Sequence, residues 1–234
     1  MTSSRLPGKV LMPVLEKSML RRLIARLQAV SSIDQVIVAT TINRNDDEVE
    51  KECQISGAEC FRGSEEDVLS RVLQAALTYQ LDVIVEITGD CPIIDISIVD
   101  LVITEFLAHN FDYVSNSNVR SYPDGMDVQV YKTDTLAHSS KLATTKLERE
   151  HVTLHIRQNP ELYSRLDIKA PDSLCFPELG LTLDTEEDYF LLSKVIERLE
   201  PLDPYFGLKE TLNFLHSNPE LMSINRNIIR KGDS

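Results

Sequence analysis

The segment DVIVEITGDCPIID, residues 82–95, sets the strongest limit on what this chain can fold into. Val83, Ile84, Val85 and Ile87 form a short, nearly continuous apolar run, the pattern of a central strand buried on both faces of a parallel sheet. Gly89, Asp90 and Pro92 follow at once. The glycine admits close approach to the backbone and the proline stops the strand. A carboxylate, Asp90, is thereby delivered to a carboxyl-terminal strand edge, where open α/β sheets bind ligands. Taken alone, Asp90 could equally do no more than turn the chain into a helix begun near Asp95.

Composition narrows the class. With 234 residues, 42% of them hydrophobic, the chain can bury a full core and reads as one domain over residues 1–234. A formal charge of −13 argues against a general nucleic-acid or anionic-membrane surface, since both would be repelled over most of the protein. Any phosphate site must therefore be locally basic. Cys53, Cys60, Cys91 and Cys175 have neither CxxC spacing nor the density of a secreted scaffold, which points to thiols in a reduced, cytoplasmic setting. No apolar run approaches the roughly 20 residues of a membrane helix, so no membrane insertion is expected.

Strand and helix patterns alternate along the chain. MTSSRLPGK, residues 1–9, reads as a loop whose Arg5 and Lys9 could hold a polyphosphate, the guanidinium bidentately and the ammonium as a point charge. An ordinary solvated terminus is the plain alternative. The GxxxxGK[ST] spacing of a Walker A loop is absent. Ser18 caps a helix with Leu20, Leu23, Ile24, Leu27 and Val30 at helical spacing and Arg21, Arg22 and Arg26 outside that stripe. Strand 36–39, helix 46–56 ended by Gly57, and strand 58–61 follow. The last runs into Arg62 and Ser64, where Ser64 and Asp67 resemble a capping box for a helix through Tyr79.

Beyond the 82–95 segment, Val99, Val102, Ile103 and Phe106 mark the inward stripe of a helix, and 112–115 is another strand. NSNVRSYPDG, 116–125, is a turn-rich departure from the alternation. Its Arg120, Tyr122 and Asp124 could recognise a polar substrate or belong to a plain hairpin connection. Residues 147–158 read as one helix gathering Arg149, Glu150, His151 and His155; without an HExxH arrangement the two histidines are better taken as a structural pair than as zinc ligands. Residues 162–170 are strand-like. Leu181, Thr182 and Leu183 lead to Asp184, either an N-cap for the helix through about Arg198 or a second carboxylate meeting Asp90 across a metal. Helices near 208–216 and 219–222 complete the packing.

The motifs SSRLPGKVL (3–11), VIVATT (36–41), FRGSEEDVLSR (61–71), ITGDCPIID (87–95), YPDGMDV (122–128), EREHVT (148–153) and LTLDTEEDY (181–189) together resemble the cytidylyltransferase family of the spore coat polysaccharide biosynthesis protein F type. They are similar more broadly to acylneuraminate and 3-deoxy-manno-octulosonate cytidylyltransferases. The resemblance spans nearly the whole chain. It implies an α/β fold with a Rossmann-like, three-layer, mostly parallel sheet of the nucleotide-diphospho-sugar transferase type. The implied reaction moves a nucleoside monophosphate, CMP from CTP, to a sugar hydroxyl with release of pyrophosphate, in surface polysaccharide or glycan biosynthesis.

The resemblance also assigns residues. It implies Asp90 and Asp184 as ligands of Mg²⁺, with Arg5 and Lys9 as catalytic cations on the triphosphate. Ser3, Ser4, Arg62, Ser64 and Asp67 would line the nucleotide, and Asp124, Arg149, Glu150 and His151 the sugar. A homodimer through the 116–160 excursion is implied as well. No residue stands out as a general base.

One departure sets further expectations. Relatives open with an apolar strand before a glycine-containing loop, whereas here Met1 stands where that loop begins and Thr2 replaces the glycine. The first strand is missing, so a gap or exposed strand edges are expected between the strands at Val36 and Val83. From this we expect the working protein to begin upstream of Met1. The alternative function is a non-catalytic nucleotide- or sugar-binding module that keeps the fold.

Overall fold

A computed structural model describes residues 5–228 of the chain. The elements follow in order: β1 (Pro13–Val14), β2 (Lys17–Ser18), α1 (Met19–Gln28), β3 (Ile37–Thr41), α2 (Asp47–Ser56), β4 (Glu59–Gly63), α3 (Val68–Thr78) and β5 (Val83–Glu86). Then come α4 (Ile96–Ala108), β6 (Tyr113–Ser115), β7 (Gln129–Lys132), α5 (Thr133–Leu142), α6 (Lys146–Glu150), α7 (Leu154–Gln158) and β8 (Arg165–Asp167). Helices α8 (Glu186–Leu199), α9 (Leu208–His216) and α10 (Pro219–Met222) close the chain. Among the described residues no helix is long and apolar enough to cross a membrane.

The described strands form a short antiparallel pair, β1 with β2, a parallel pair, β3 with β4, and a four-stranded sheet in the order β5-β7-β6-β8. In the larger sheet β6 and β8 are parallel, while β7 runs antiparallel to both β5 and β6. The excursion after β6 thus returns as the reversed strand β7. Among the described residues no strand joins β3 to β5. In a parallel ladder alternate residues face the partner, and the bonds Glu59 N–H to Val36 O and Ile42 N–H to Gly63 O turn Ile37 and Ala39 the other way. The bond from Thr133 N–H to Asp82 O likewise turns Val83 and Val85 away from β7. The 82–95 segment accordingly does not form a central strand of the described sheet. Among the described residues β5 is at its edge, with Ile84 fully buried and Val83 and Val85 partly buried against the main core.

Three apolar clusters form the interior, and α1 reaches two of them. Met19 and Leu23 join the main core with Val99, Val102, Leu181 and Leu183, while Leu20 and Ile24 pack with Val49 and Cys53 under β3 and β4. Ser18 caps this helix through Arg21 N–H, as its sequence predicts. The arginines outside the stripe do not all face water: Arg22 and Arg26 are buried. A buried guanidinium must find acceptors, and Arg26 donates to the Ile94 and Phe206 carbonyls at 3.1 and 2.9 Å.

Two local expectations change. Helix α3 starts at Val68, with Asp67 as its cap accepting from Ser70 N–H, while Ser64 Oγ accepts from Asp67 N–H in the turn before it. The 147–158 helix is broken into α6 and α7. Between them His151 is extended, Val152 and Thr153 turn inward, and Thr153 Oγ1 donates to Gln129 at 2.6 Å, which a continuous helical register would not allow.

Candidate active site

Four charged side chains from three distant segments converge. Lys9 Nζ lies 2.8 Å from Asp90 Oδ2 and 2.8 Å from Asp184 Oδ1, and Arg5 reaches the other oxygen of Asp184 at 2.8 Å. Each is positioned by its backbone. Gly8 takes a left-handed conformation (φ 72°) that turns the loop into the short helical turn carrying Lys9, and Leu6 buries its side chain below. Asp90 leaves the end of β5. Its carbonyl accepts from Leu183 N–H at 2.8 Å, which sets the 181–184 segment beside it. Asp184 is not the cap of α8: Thr185 is, in a capping box with Asp188, so the Asp184 carboxylate is turned to the cations.

Electrostatics hold Lys9 ionised. Burial alone would lower the Lys9 pKa, but Asp90 and Asp184 more than offset it and the ammonium titrates above its ordinary 10.5. Beside it the Cys91 thiol is pushed well up by burial and by the nearby carboxylates Asp90, Asp127 and Asp124, which leaves it an inert neutral thiol.

Next to this cluster is a polar pocket lined by Asn116, Ser117, Arg120, Tyr122, Asp124 and Asp127. Its floor is the 122–128 turn, tied to the same segment that carries Asp184. Asp124 N–H donates to Leu179 O at 3.1 Å and Leu181 N–H to Asp124 O at 2.7 Å. Gly125 permits the approach: its φ is 99°, and a Cβ there would fall 2.5 Å from the Leu181 carbonyl carbon. Asp127 was not singled out by the sequence reading, although two acids three positions apart around a glycine turn in YPDGMDV were a signal for it. Its pKa is pushed up to about 7, first by burial and then by Asp124, against the pull of Arg120.

The other residues named from sequence are distributed differently. Arg62 donates to the carbonyls of Thr41 and Asn43 at 2.8 and 2.6 Å and to Asp47 and Glu50 at 2.6 and 3.0 Å, clamping the connection from β3 to α2. Arg149 donates to Ser140 Oγ and O and lies 3.5 Å from Asp67, which brings those two candidates together. Ser64 sits in the turn before α3. Glu150, the last residue of α6, and His151, which follows it, are exposed. His155 is buried against Glu148 at 2.7 Å, and no cluster of three or more acidic, histidine or cysteine ligands occurs among the described residues. Ser3 and Ser4 lie outside the described residues.

The cytidylyltransferase family profile matches residues 1–216. The chain belongs to the cytidylyltransferase family. It is 36% identical over 229 residues to an uncharacterised protein of Methanocaldococcus jannaschii, covering 98% of this chain and 92% of that one. It is 32% identical over 225 residues to the spore coat polysaccharide biosynthesis protein SpsF of Bacillus subtilis, covering 94% and 92%. The solved structure of a cytidylyltransferase from Leptospira borgpetersenii superposes with a TM-score of 0.90 at 31% identity, covering 98% and 94%. The fold is that of the nucleotide-diphospho-sugar transferases, as expected from the motifs.

Proposed function

We propose that this cytidylyltransferase moves CMP from CTP to a sugar hydroxyl, releasing pyrophosphate, with Mg²⁺ held between Asp90 and Asp184. The observation that carries this reading is the convergence of both carboxylates on one cation at the end of β5. The donor set suits the ion: Mg²⁺ usually takes one or two carboxylates and fills its remaining positions with phosphate oxygens and water. When bound, it would neutralise charge on the triphosphate and orient it. Arg5 and Lys9 bring two further positive charges to an otherwise acidic protein and would position the phosphates. The polar pocket beside them would take the sugar. The name of the Bacillus subtilis relative supports a place in polysaccharide biosynthesis.

Purified protein given CTP, Mg²⁺ and a panel of acidic and neutral sugars should release pyrophosphate. CTP binding by calorimetry without pyrophosphate release from any sugar would favour the non-catalytic module instead. Assembly as a homodimer through 116–160 fits the exposed Val119, Leu142 and Leu147 on that stretch, and sedimentation showing only monomer would reject it.

A further inference from the structure

The last residues of β5, β6 and β8 and the first of β7 lie in one line across the sheet. Glu86 stands opposite Gln129, Gln129 opposite Ser115, and Ser115 opposite Asp167, so all four share one face. It is not the face of the main core: Val85, Val130, Val114 and Leu166, one position away on each strand, pack there. Two positions from the line on its own face, Ile84, Tyr131 and Tyr113 belong to the second apolar cluster. The line is therefore a polar rim on an apolar surface. Asp167, at its far end, is taken by Asn118 Nδ2 at 2.7 Å. Glu86, Gln129 and Ser117, which follows Ser115 by two positions, are half-buried, and each is held from behind by a buried hydroxyl. Tyr131 donates to Glu86, Tyr113 and Thr153 donate to Gln129 Oε1 at 2.7 and 2.6 Å, and the Ser115 and Ser117 hydroxyls are bonded at 2.8 Å. With both bonds on its oxygen, Gln129 keeps its amide nitrogen as a donor that has no partner among the described residues. A rim side chain that meets only water needs no such backing, whereas one that must meet a ligand at a fixed angle does. Ser117 lines the polar pocket, and so does Asp127, two positions before Gln129 and turned the same way by the buried Met126 and Val128 on either side of it. The rim thus continues the pocket along the sheet.

We propose that Glu86, Gln129 and Ser117 form the recognition row for the acceptor sugar, and that this row selects a neutral polyhydroxylated sugar over a carboxylated one. This rests on the transfer reading above and deepens it. Glu86 and Gln129, on neighbouring strands about 4.8 Å apart, offer an acceptor and a donor in turn, and the Ser117 hydroxyl offers both. Sugar hydroxyls can answer every one of these groups, because each hydroxyl donates and accepts. A carboxylate only accepts. It would also meet Glu86 in the row and Asp124 and Asp127 in the pocket, three acids set against Arg120 and against Arg157, the cation that acts on Glu86.

The central variant is Gln129→Glu, because a carboxylate oxygen still accepts from Tyr113 and Thr153 while the amide donor is lost. Given CTP, Mg²⁺ and a panel of neutral and carboxylated sugars, the wild type should favour a neutral sugar by about tenfold or more in kcat/KM. Gln129→Glu and Ser117→Ala should each raise the KM for that sugar by about tenfold. Their kcat should stay within about threefold and their Kd for CTP within about twofold, the pattern of lost substrate binding. Glu86→Gln should cut the preference for neutral over carboxylated sugars by about tenfold, a change that a purely structural role would not produce. Thermal melts of each variant establish that it is folded. If the folded variants keep both KM and preference within about twofold of the wild type, the row does no more than satisfy buried hydroxyls, and its assignment fails while the transfer reading stands. A wild type that prefers a carboxylated sugar overturns the substrate class. If the wild type binds CTP but releases pyrophosphate with no sugar, the transfer reading fails and takes the recognition row with it.

Discussion

Lys9 and Arg62 each face two carboxylates, yet Lys9 meets acids 81 and 175 positions away whereas Arg62 meets acids 15 and 12 positions away. The Arg62 cluster is local. Its guanidinium also fills the carbonyls of Thr41 and Asn43, so it closes a loop that its own neighbours create. The Lys9 cluster exists only when three remote segments have folded together, and the backbone bonds that align it run through Leu181 and Leu183 rather than through the cation itself. Charges gathered at such tertiary cost, at a strand end, are the ones expected to act on a ligand. Charges that staple their own turn are expected to serve stability.

The sharpest way to break this contrast is at Asp90. Changing Asp90→Asn should lower pyrophosphate release by about 10²- to 10³-fold or more, the usual loss when a preorganised electrostatic group is removed. A cooperative melt should be retained, and a variant with wild-type turnover would detach the cluster from the chemistry. Next comes the backbone that aligns it. Gly125→Ala places a methyl against the Leu181 carbonyl and should cost about 1–3 kcal/mol of stability, as overpacking does. Urea titration would read this, and an unchanged midpoint would show that the turn yields.

A smaller effect is expected at the local pair Glu148 and His155. Hydrogen bonds from Thr145, with His155 added, hold Glu148 down to about 2 from an ordinary 4.5. A depressed carboxyl contributes stability that is fully present above the unfolded value and lost as pH falls through the folded one. The melting temperature of the wild type should therefore drop more steeply between pH 4.5 and about 2 than that of Glu148→Gln, and matching curves would contradict the pairing. The smallest expected effect on function is Arg62→Ala, which should lower the melting temperature modestly and leave CTP affinity within about twofold. A CTP affinity that falls tenfold or more would instead put Arg62 on the nucleotide, as the family resemblance suggested.

Much of this was legible in the residues because the decisive signals are local. The Ser18 cap, the strand-ending Asp90 and the helices α9 and α10 follow from spacing and punctuation alone. Asp184 was readable as an acid at a strand end, but only the capping box of Thr185 and Asp188 decides that it is free of capping duty. What local pattern could not supply was competition between segments. The break between α6 and α7 depends on Gln129 of β7 drawing Thr153 inward. Arg26 lies outside the apolar stripe of its helix, and its burial depends on the carbonyls of Ile94 and Phe206, far along the chain. Asp127 gains its character from Asp124, Arg120 and Asp90 together, a sum no single motif contains.

Among the described residues β3 and β5 belong to separate sheets with no shared ladder, which has a consequence for how the molecule answers solvent. Helix α1 acts as a beam across both sheets, with Leu20 and Ile24 on one and Met19 and Leu23 on the other, so the halves are joined by side-chain contact where a continuous sheet would use backbone bonds. Backbone groups at such a seam open at a lower free energy than those inside a ladder. Deuterium should therefore enter at Ile37, Ala39, Val83 and Val85 well before Val130, which lies in the middle of its sheet. A junction held by side chains alone yields more readily than one held by a ladder, so this line between the sheets should be the more compliant of the two.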